Sequence, residues 1–298
     1  MLEIQPEIAE ALQGSRPVVA LESTLIAHGL PWPANLHTAL AAEAAIRAEN
    51  AIPATIAVWN GRPRIGLTAA EIEELAQRKD VHKASSRDLA AAIAEKRTAA
   101  TTVAATMRLA HMAGIRVFAT GGIGGVHRGA EQSFDISADL MELAQTPVAV
   151  ICAGAKNLLD VPKTLELLET LCVPVIGYQT NEFPGFYVHT TGLPVSGRVN
   201  SPEYAAKLIK LHWKMEGKGF VLAQPVSPTI ALSAKEWDTA FKEAERRTSG
   251  LHGPSVTPAL LAELAETTGG RTVQINRELV IANARLAAQV AKCLAACG

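Results

Sequence analysis

The chain has 298 residues, 48% hydrophobic and only 4% aromatic, with a formal net charge of −1. That length suits one large domain or two modest ones, with a core that Ala, Val, Leu and Ile must fill. A near-neutral balance without any cluster of Lys and Arg excludes a nucleic-acid-binding surface as the main business.

The chain opens with a helix expected over 3–13 and a strand at Pro17–Leu21, which ends in the polar triplet Glu22-Ser23-Thr24. Gly29, Pro31 and Pro33 break the next stretch into a loop, and Asn35 is placed to cap an alanine-rich helix over 36–49. Strands at Ala54–Trp59 and Pro63–Leu67 flank Asn60-Gly61, a strong hairpin signal. Thr68, with Glu71 three residues on, forms a capping box for the following helix. The polar stretch Val81–Asp88 leads into the helix LAAAIAEK, and Thr101-Thr102 starts a helix that runs to Gly114. Ile115–Ala119 reads as a buried strand, because it is short, apolar and bounded by glycines. A helix over Ser137–Ala144, a strand at Val148–Cys152 and a helix over Val161–Thr170 follow. Next come strands at Val173–Tyr178 and Gly185–His189, and a helix from Ser201 to Met215 with Pro at its first position. The remainder is a strand at Phe220–Ala223 and helices over 234–247, 257–267 and 277–296. Strands alternate with helices and no linker or repeat intervenes. The expectation is one three-layer α/β/α domain over 1–298 with a mixed, mostly parallel central sheet.

Cys152, Cys172, Cys293 and Cys297 form no CxxC pair, and Cys293 and Cys297, four apart on a helix, read as packing residues. No apolar stretch reads as a membrane span, and the N-terminus lacks the basic start and apolar core of a signal peptide. A reduced, cytoplasmic protein without a membrane partner is expected.

The chemistry concentrates where strands end. After Ala119 the chain reads Thr120-Gly121-Gly122-Ile123-Gly124-Gly125, four glycines in five residues, then His127, Arg128, Glu131, Asp135, Ser137 and Asp139. Such a loop lets backbone N–H groups converge on an anion, and the polar run supplies metal-ligand oxygen. Glu22 and Lys156 likewise follow buried runs; parallel neighbouring strands would bring all three ends to one sheet edge. Lys156 follows Ala-Gly-Ala, an apolar wall that disfavours the ammonium and frees the amine as a nucleophile; a solvated lysine at a helix start is the competing reading. Burial would raise the pKa of Glu22 and fit it for general acid work, although a carboxylate that merely caps a loop stands at even odds. Asp135 and Asp139 share a helix face if the helix has begun by then, and two such charges invite Mg²⁺ or Mn²⁺; an N-cap with a first-turn acid is the alternative. Lys83, Arg87 and Thr101-Thr102 could join the glycine loop in holding a phosphate. The loop lacks GK[ST] and the spacing of a nucleotide fingerprint, so neither ATP nor NAD is expected.

The segments VALESTLIAHGLP, PATIAVWNGRPRIGL, KASSRDL, ATTVAATM, VFATGGIGGVHRGAEQSFDISADL, CAGAKNLLD, VIGYQT and NRELVIANA resemble the pseudouridine-5′-phosphate glycosidase family, also called indigoidine synthase A-like, from about Val18 to Ala284. The resemblance implies reversible cleavage of the C–C glycosidic bond of pseudouridine 5′-phosphate to uracil and ribose 5-phosphate. It makes Lys156 the nucleophile that forms an imine with ribose C1′, Glu22 the proton donor, and Asp135 the ligand of one Mn²⁺ per subunit. Lys83, Val103 and the run Ser137-Ala138-Asp139 match substrate-binding positions, and Thr120, His127 and Asn276 fall in matching motifs. A homotrimer is also implied. A lysine-dependent aldolase or other sugar-phosphate lyase, or a non-catalytic phosphosugar-binding protein, would use the same residues differently; uracil-dependent consumption of ribose 5-phosphate separates them.

Overall fold

A computed structural model of the chain describes residues 2–249 and 256–296. Its strands are β1 (Glu3–Ile4), β2 (Val18–Leu21), β3 (Ile52–Trp59), β4 (Arg62–Ile65), β5 (His82–Ala84), β6 (Ala99–Thr101), β7 (Val117–Ala119), β8 (Ala149–Cys152), β9 (Val175–Tyr178), β10 (Gly197–Val199) and β11 (Phe220–Ala223). The helices are α1 (Pro6–Gln13), α2 (Ala34–Ala48), α3 (Ala69–Gln77), α4 (Leu89–Ala94), α5 (Val103–Met112), α6 (Ala130–Ser133), α7 (Ala138–Gln145), α8 (Val161–Thr170), α9 (Pro202–Lys214), α10 (Ala234–Arg247), α11 (Val256–Thr267) and α12 (Arg271–Ala296).

The sheet runs β1-β4-β3-β2-β7-β8-β11-β9-β10, with β6 paired to both β3 and β5. From β3 through β10 every neighbour is parallel. The antiparallel pairings are β3 with β4 and β3 with β6, which makes the sheet mixed but mostly parallel, as expected. Residues of β2, β8 and β11 are buried throughout, the mark of strands covered on both faces. α12 packs with α2 and α9 across β2, β7 and β8, while α5 packs with α7 and against β2 and β3. One apolar cluster runs through these layers from Ile8 to Ala291.

Helix α12 is apolar and long enough, by length and composition, to cross a membrane, which the sequence reading did not register. Here it serves as a core helix, with Ile275, Leu279, Val280, Ala284, Ala287 and Val290 all buried. It begins at Arg271, earlier than expected, because Gly269 and Gly270 take positive φ just before it.

Local signals hold well. Asn60 and Gly61 adopt φ of 48° and 76°, and Trp59 faces Arg62 across the hairpin. Thr68 and Glu71 make both bonds of the capping box. Asn35 does not cap α2: it lies inside the first turn, buried, and its Nδ2 donates to the carbonyls of Ile26 and Ala76 at 2.8 and 2.9 Å. The stretch Gly185–His189 is no strand but a turn held by isolated bridges, with Phe186 at φ 58°. Strands β5, β6 and β10, each of three residues, and the two-residue β1 are additional, and the helix expected over 3–13 starts only at Pro6. Cys152 is buried in β8, where burial pushes its thiol up to about 12. Cys297 lies outside the described residues.

Candidate active site

Because β2, β7, β8 and β11 are parallel neighbours, the residues that follow them share one edge of the sheet. Glu22 follows β2, Thr120 follows β7, and Lys156 comes just after β8. Thr120 donates its hydroxyl proton to Glu22 Oε1. Its own carbonyl accepts from Asn283 Nδ2 at 2.9 Å, so α12 fixes the head of the glycine loop. Behind Glu22 lies a small cavity lined by Leu21, Leu25, Ile26, Ala119 and Val280. Burial raises the pKa of the Glu22 carboxyl, against the opposing pull of Lys156 and of the Thr120 hydrogen bond. Asp139 pushes it further up.

Lys83, on β5, sits at the exposed rim, where loss of water and then the Lys156 charge lower its pKa, while Asp139, Glu22 and Asp135 pull it back up. His127 is lowered by burial, by Lys83 and by Lys156, against the pull of Asp135. Its Nδ1 stands 3.9 Å from Asp135 Oδ2. These mutual effects place Glu22, Lys83, His127, Asp135, Asp139 and Lys156 in one electrostatic neighbourhood.

The glycine loop differs from an empty phosphate cradle. Gly124 donates its N–H to Asp139 Oδ2 at 2.8 Å, and Ala104, at the start of α5, donates to Asp139 Oδ1 at 2.9 Å. The amides of Ile123 and Val126 go to Gly154 O and Thr164 Oγ1. The anion held by this part of the loop is therefore the protein's own carboxylate. Gly124 must be glycine for proximity: a Cβ there would stand 2.3 Å from Ser137 Oγ and 2.7 Å from Asp139 Oδ2. Ser137 caps α7 by accepting the Asp139 N–H at 3.2 Å, with Ala138 as the first helical residue. Helix α7 thus starts after Asp135, which lies in the preceding loop, exposed; the two aspartates do not share a helix face.

Thr101 and Thr102 also serve the fold. Thr101 Oγ1 donates to Ile56 O at 2.7 Å inside a buried network with Ser23 and Thr106, and Thr102 caps α5. Arg87 is exposed and pairs with the adjacent Asp88. Val103 is the buried first residue of α5, so its backbone belongs to that helix's N-terminus. Asn276, buried on α12, keeps an unpartnered Oδ1 that lies against Gly121. The sequence reading missed two further groups. Gln224 follows β11 as Glu22 follows β2, a pattern that could have found it; its buried Oε1 has no partner. His28, in the turn after Glu22, has an unpartnered buried Nε2 and feels the charge of Lys83.

Among the described residues no three His, Cys, Asp or Glu side chains gather as a metal cage. The exposed Asp135 carboxylate with His127 beside it fits a divalent ion that keeps most of its shell as water.

A family model for indigoidine synthase A like proteins matches residues 7–293. The chain is 50% identical over 292 residues to the pseudouridine-5′-phosphate glycosidase of Legionella pneumophila, spanning 98% of this chain and 95% of the relative. It is 52% identical over 295 residues to the protein of that name from Solibacter usitatus, spanning 97% and 98%. Among solved structures it is similar to the prealnumycin C-glycosynthase AlnA in complex with ribulose 5-phosphate, with a TM-score of 0.92 at 39% identity over 100% of this chain and 98% of that one. It is also similar to an indigoidine synthase A-like protein from Thermotoga maritima, with a TM-score of 0.91 at 33% identity over 99% and 97%. The chain belongs to the indigoidine synthase A-like family.

Proposed function

We propose that this chain reversibly cleaves the C–C glycosidic bond of pseudouridine 5′-phosphate, giving uracil and ribose 5-phosphate. The observation that carries the reading is Glu22, a carboxyl whose pKa burial raises, set at the same sheet edge as Lys156, whose charge acts on it. Relatives named for that reaction, 50% and 52% identical over nearly the full length, support it.

A C-glycoside has no departing nitrogen, so the bond electrons need another outlet. Glu22 protonates the ribose ring oxygen as the ring opens, while the base loses its N1 proton and a double bond forms between C5 and C1′. The Lys156 amine adds at C1′ and the base takes the electron pair back. Protonation at C5 then lets the amine lone pair form the imine as the C1′–C5 bond breaks, its electrons returning to the uracil ring. Water releases ribose 5-phosphate and restores the amine.

The other residues position the substrate. Thr120 holds Glu22, and Asp139 ties the glycine loop to α5 through Gly124 and Ala104. Lys83 and the α5 N-terminus at Val103 suit a phosphate. The unpartnered Asn276 Oδ1 suits an N–H of the base. Ser137, Ala138 and His127 would complete the substrate contacts. Asp135 would hold one Mn²⁺ per subunit among waters, supplying positive charge toward substrate oxygens.

We extend the proposal to a homotrimer, since Phe134, beside Asp135, and Met215 are each 82% exposed and suit cover by a neighbouring subunit. Light scattering at three chain masses is the expected result, and a monomer would reject it. Cytoplasmic residence follows from the substrate class alone; fractionation of the native host tests it.

Ultraviolet detection of uracil tests the activity. Pseudouridine 5′-phosphate should yield uracil, and ribose 5-phosphate should be consumed only when uracil is present. Consumption without uracil would point to an aldolase.

A further inference from the structure

At the opposite edge of the sheet from Glu22, the amino ends of β2 and β7 border a groove of about 330 Å³. Arg16 from the α1–β2 turn, Arg116 at the head of β7 and Lys210 from α9 all line it, over apolar residues that include Leu12, Val18 and Leu294. Among the described residues none of these three cations has a carboxylate within ion-pair distance; Glu7 acts on Arg16 from farther off but is itself paired with Arg47. Glu142, which acts on the nearby His111, is already clamped by Arg108 through two bonds of 3.0 and 2.8 Å.

Arg116 is the telling member. Its guanidinium carbon stands 4.2 Å from the centre of the Trp213 ring, and Trp213 is pinned by its Nε1–H donating to Lys218 O at 2.9 Å. The ring covers the face of the guanidinium and makes no hydrogen bond to its in-plane N–H groups. Its Nε is buried and has no hydrogen-bond partner. A guanidinium does not shed its proton, so this conflict is not relieved by neutralisation. Burial lowers the pKa of Arg116, and Arg116 and Lys218 add to the burial that depresses His111, against the opposing pull of Glu142. A planar fork with a second and third cation at hand is the geometry that receives a phosphoryl group, and the apolar floor receives what the phosphate is attached to.

We propose that this groove is a second, non-catalytic site that binds a phosphomonoester with an apolar body. It stands apart from the catalytic reading, since β2 and β7 put the groove and Glu22 at opposite ends. The test is isothermal titration of the full chain with phenyl phosphate. Binding should weaken about tenfold or more in Arg116→Gln and in Lys210→Gln, as expected for loss of a charge-assisted contact. Binding should persist in Lys83→Gln, and uncharged benzyl alcohol should not compete. Uracil release should stay at the parental level in both groove variants, which also reports that they are folded. Absent binding, binding that survives both groove substitutions, or binding lost only in Lys83→Gln would each overturn the proposal.

Discussion

Replacing Asp139 with Asn separates a scaffold role from a substrate contact. Asp139 is 6% exposed, and its two oxygens each take a backbone N–H, from Gly124 at 2.8 Å and Ala104 at 2.9 Å. Asn has one such oxygen; its amide NH₂ would face the other N–H, donor against donor. A hydrogen bond to a charged group contributes about 1.5–3 kcal/mol, and an orphaned buried donor costs about 1–3 kcal/mol. With partial relaxation of the loop, Asp139→Asn should lose about 2–4 kcal/mol of stability. Urea unfolding should show this as a lower midpoint at unchanged slope. The same change should alter the chemistry, because the Asp139 charge raises the pKa of both Glu22 and Lys83. Without it Glu22 loses its proton at lower pH, so the alkaline limb of uracil release should move toward acid. A midpoint equal to the parent's, with an unmoved alkaline limb, would refute the reasoning.

Glu22→Gln should abolish proton donation and lower uracil release by about 10²–10⁴-fold. The same variant should be more stable than the parent at pH 8. The folded pKa of Glu22 lies above the unfolded 4.5, so the native carboxyl costs stability progressively as pH rises past 4.5 and constantly above its folded pKa. That difference is about 1.4 kcal/mol for each tenfold change in proton affinity; urea melts showing no gain at pH 8, or an equal gain at pH 4, would contradict it. Chelation should reduce turnover and Mn²⁺ restore it in the parent, while Asp135→Ala should respond to neither; indifference of the parent to chelator would remove Asp135 as a ligand.

The legible parts of the fold were those decided locally. The Asn60-Gly61 turn and the Thr68–Glu71 cap depend on neighbours in sequence, and both formed as expected. The strand ends bearing Glu22, Thr120 and Lys156 were also legible, because a polar group after a buried run is costly unless used. Strands β5 and β6 were not: His82-Lys83-Ala84 has no apolar alternation, and its pairing with Ala99–Thr101 is set by distant partners. Gly185–His189 has strand-forming side chains, yet Phe186 and Tyr187 meet edge to face at 4.7 Å and Tyr187 stacks on Trp237 at 5.4 Å. That packing, not local preference, sets the turn. The glycine loop was expected to turn its amides to a bound anion; the Gly124 amide instead meets the Asp139 carboxylate, a long-range pairing that periodicity does not reveal. The Asp135–Asp139 spacing misled because the cap at Ser137 puts the helix start between them.

Borohydride trapping with ribose 5-phosphate tests the central claim most directly. After reduction, peptide mass mapping should place a single pentose phosphate adduct on Lys156, absent from Lys156→Ala and reduced when uracil is added to consume the imine. An unmodified Lys156 in fully active protein, or an adduct on Lys83 instead, would contradict the account.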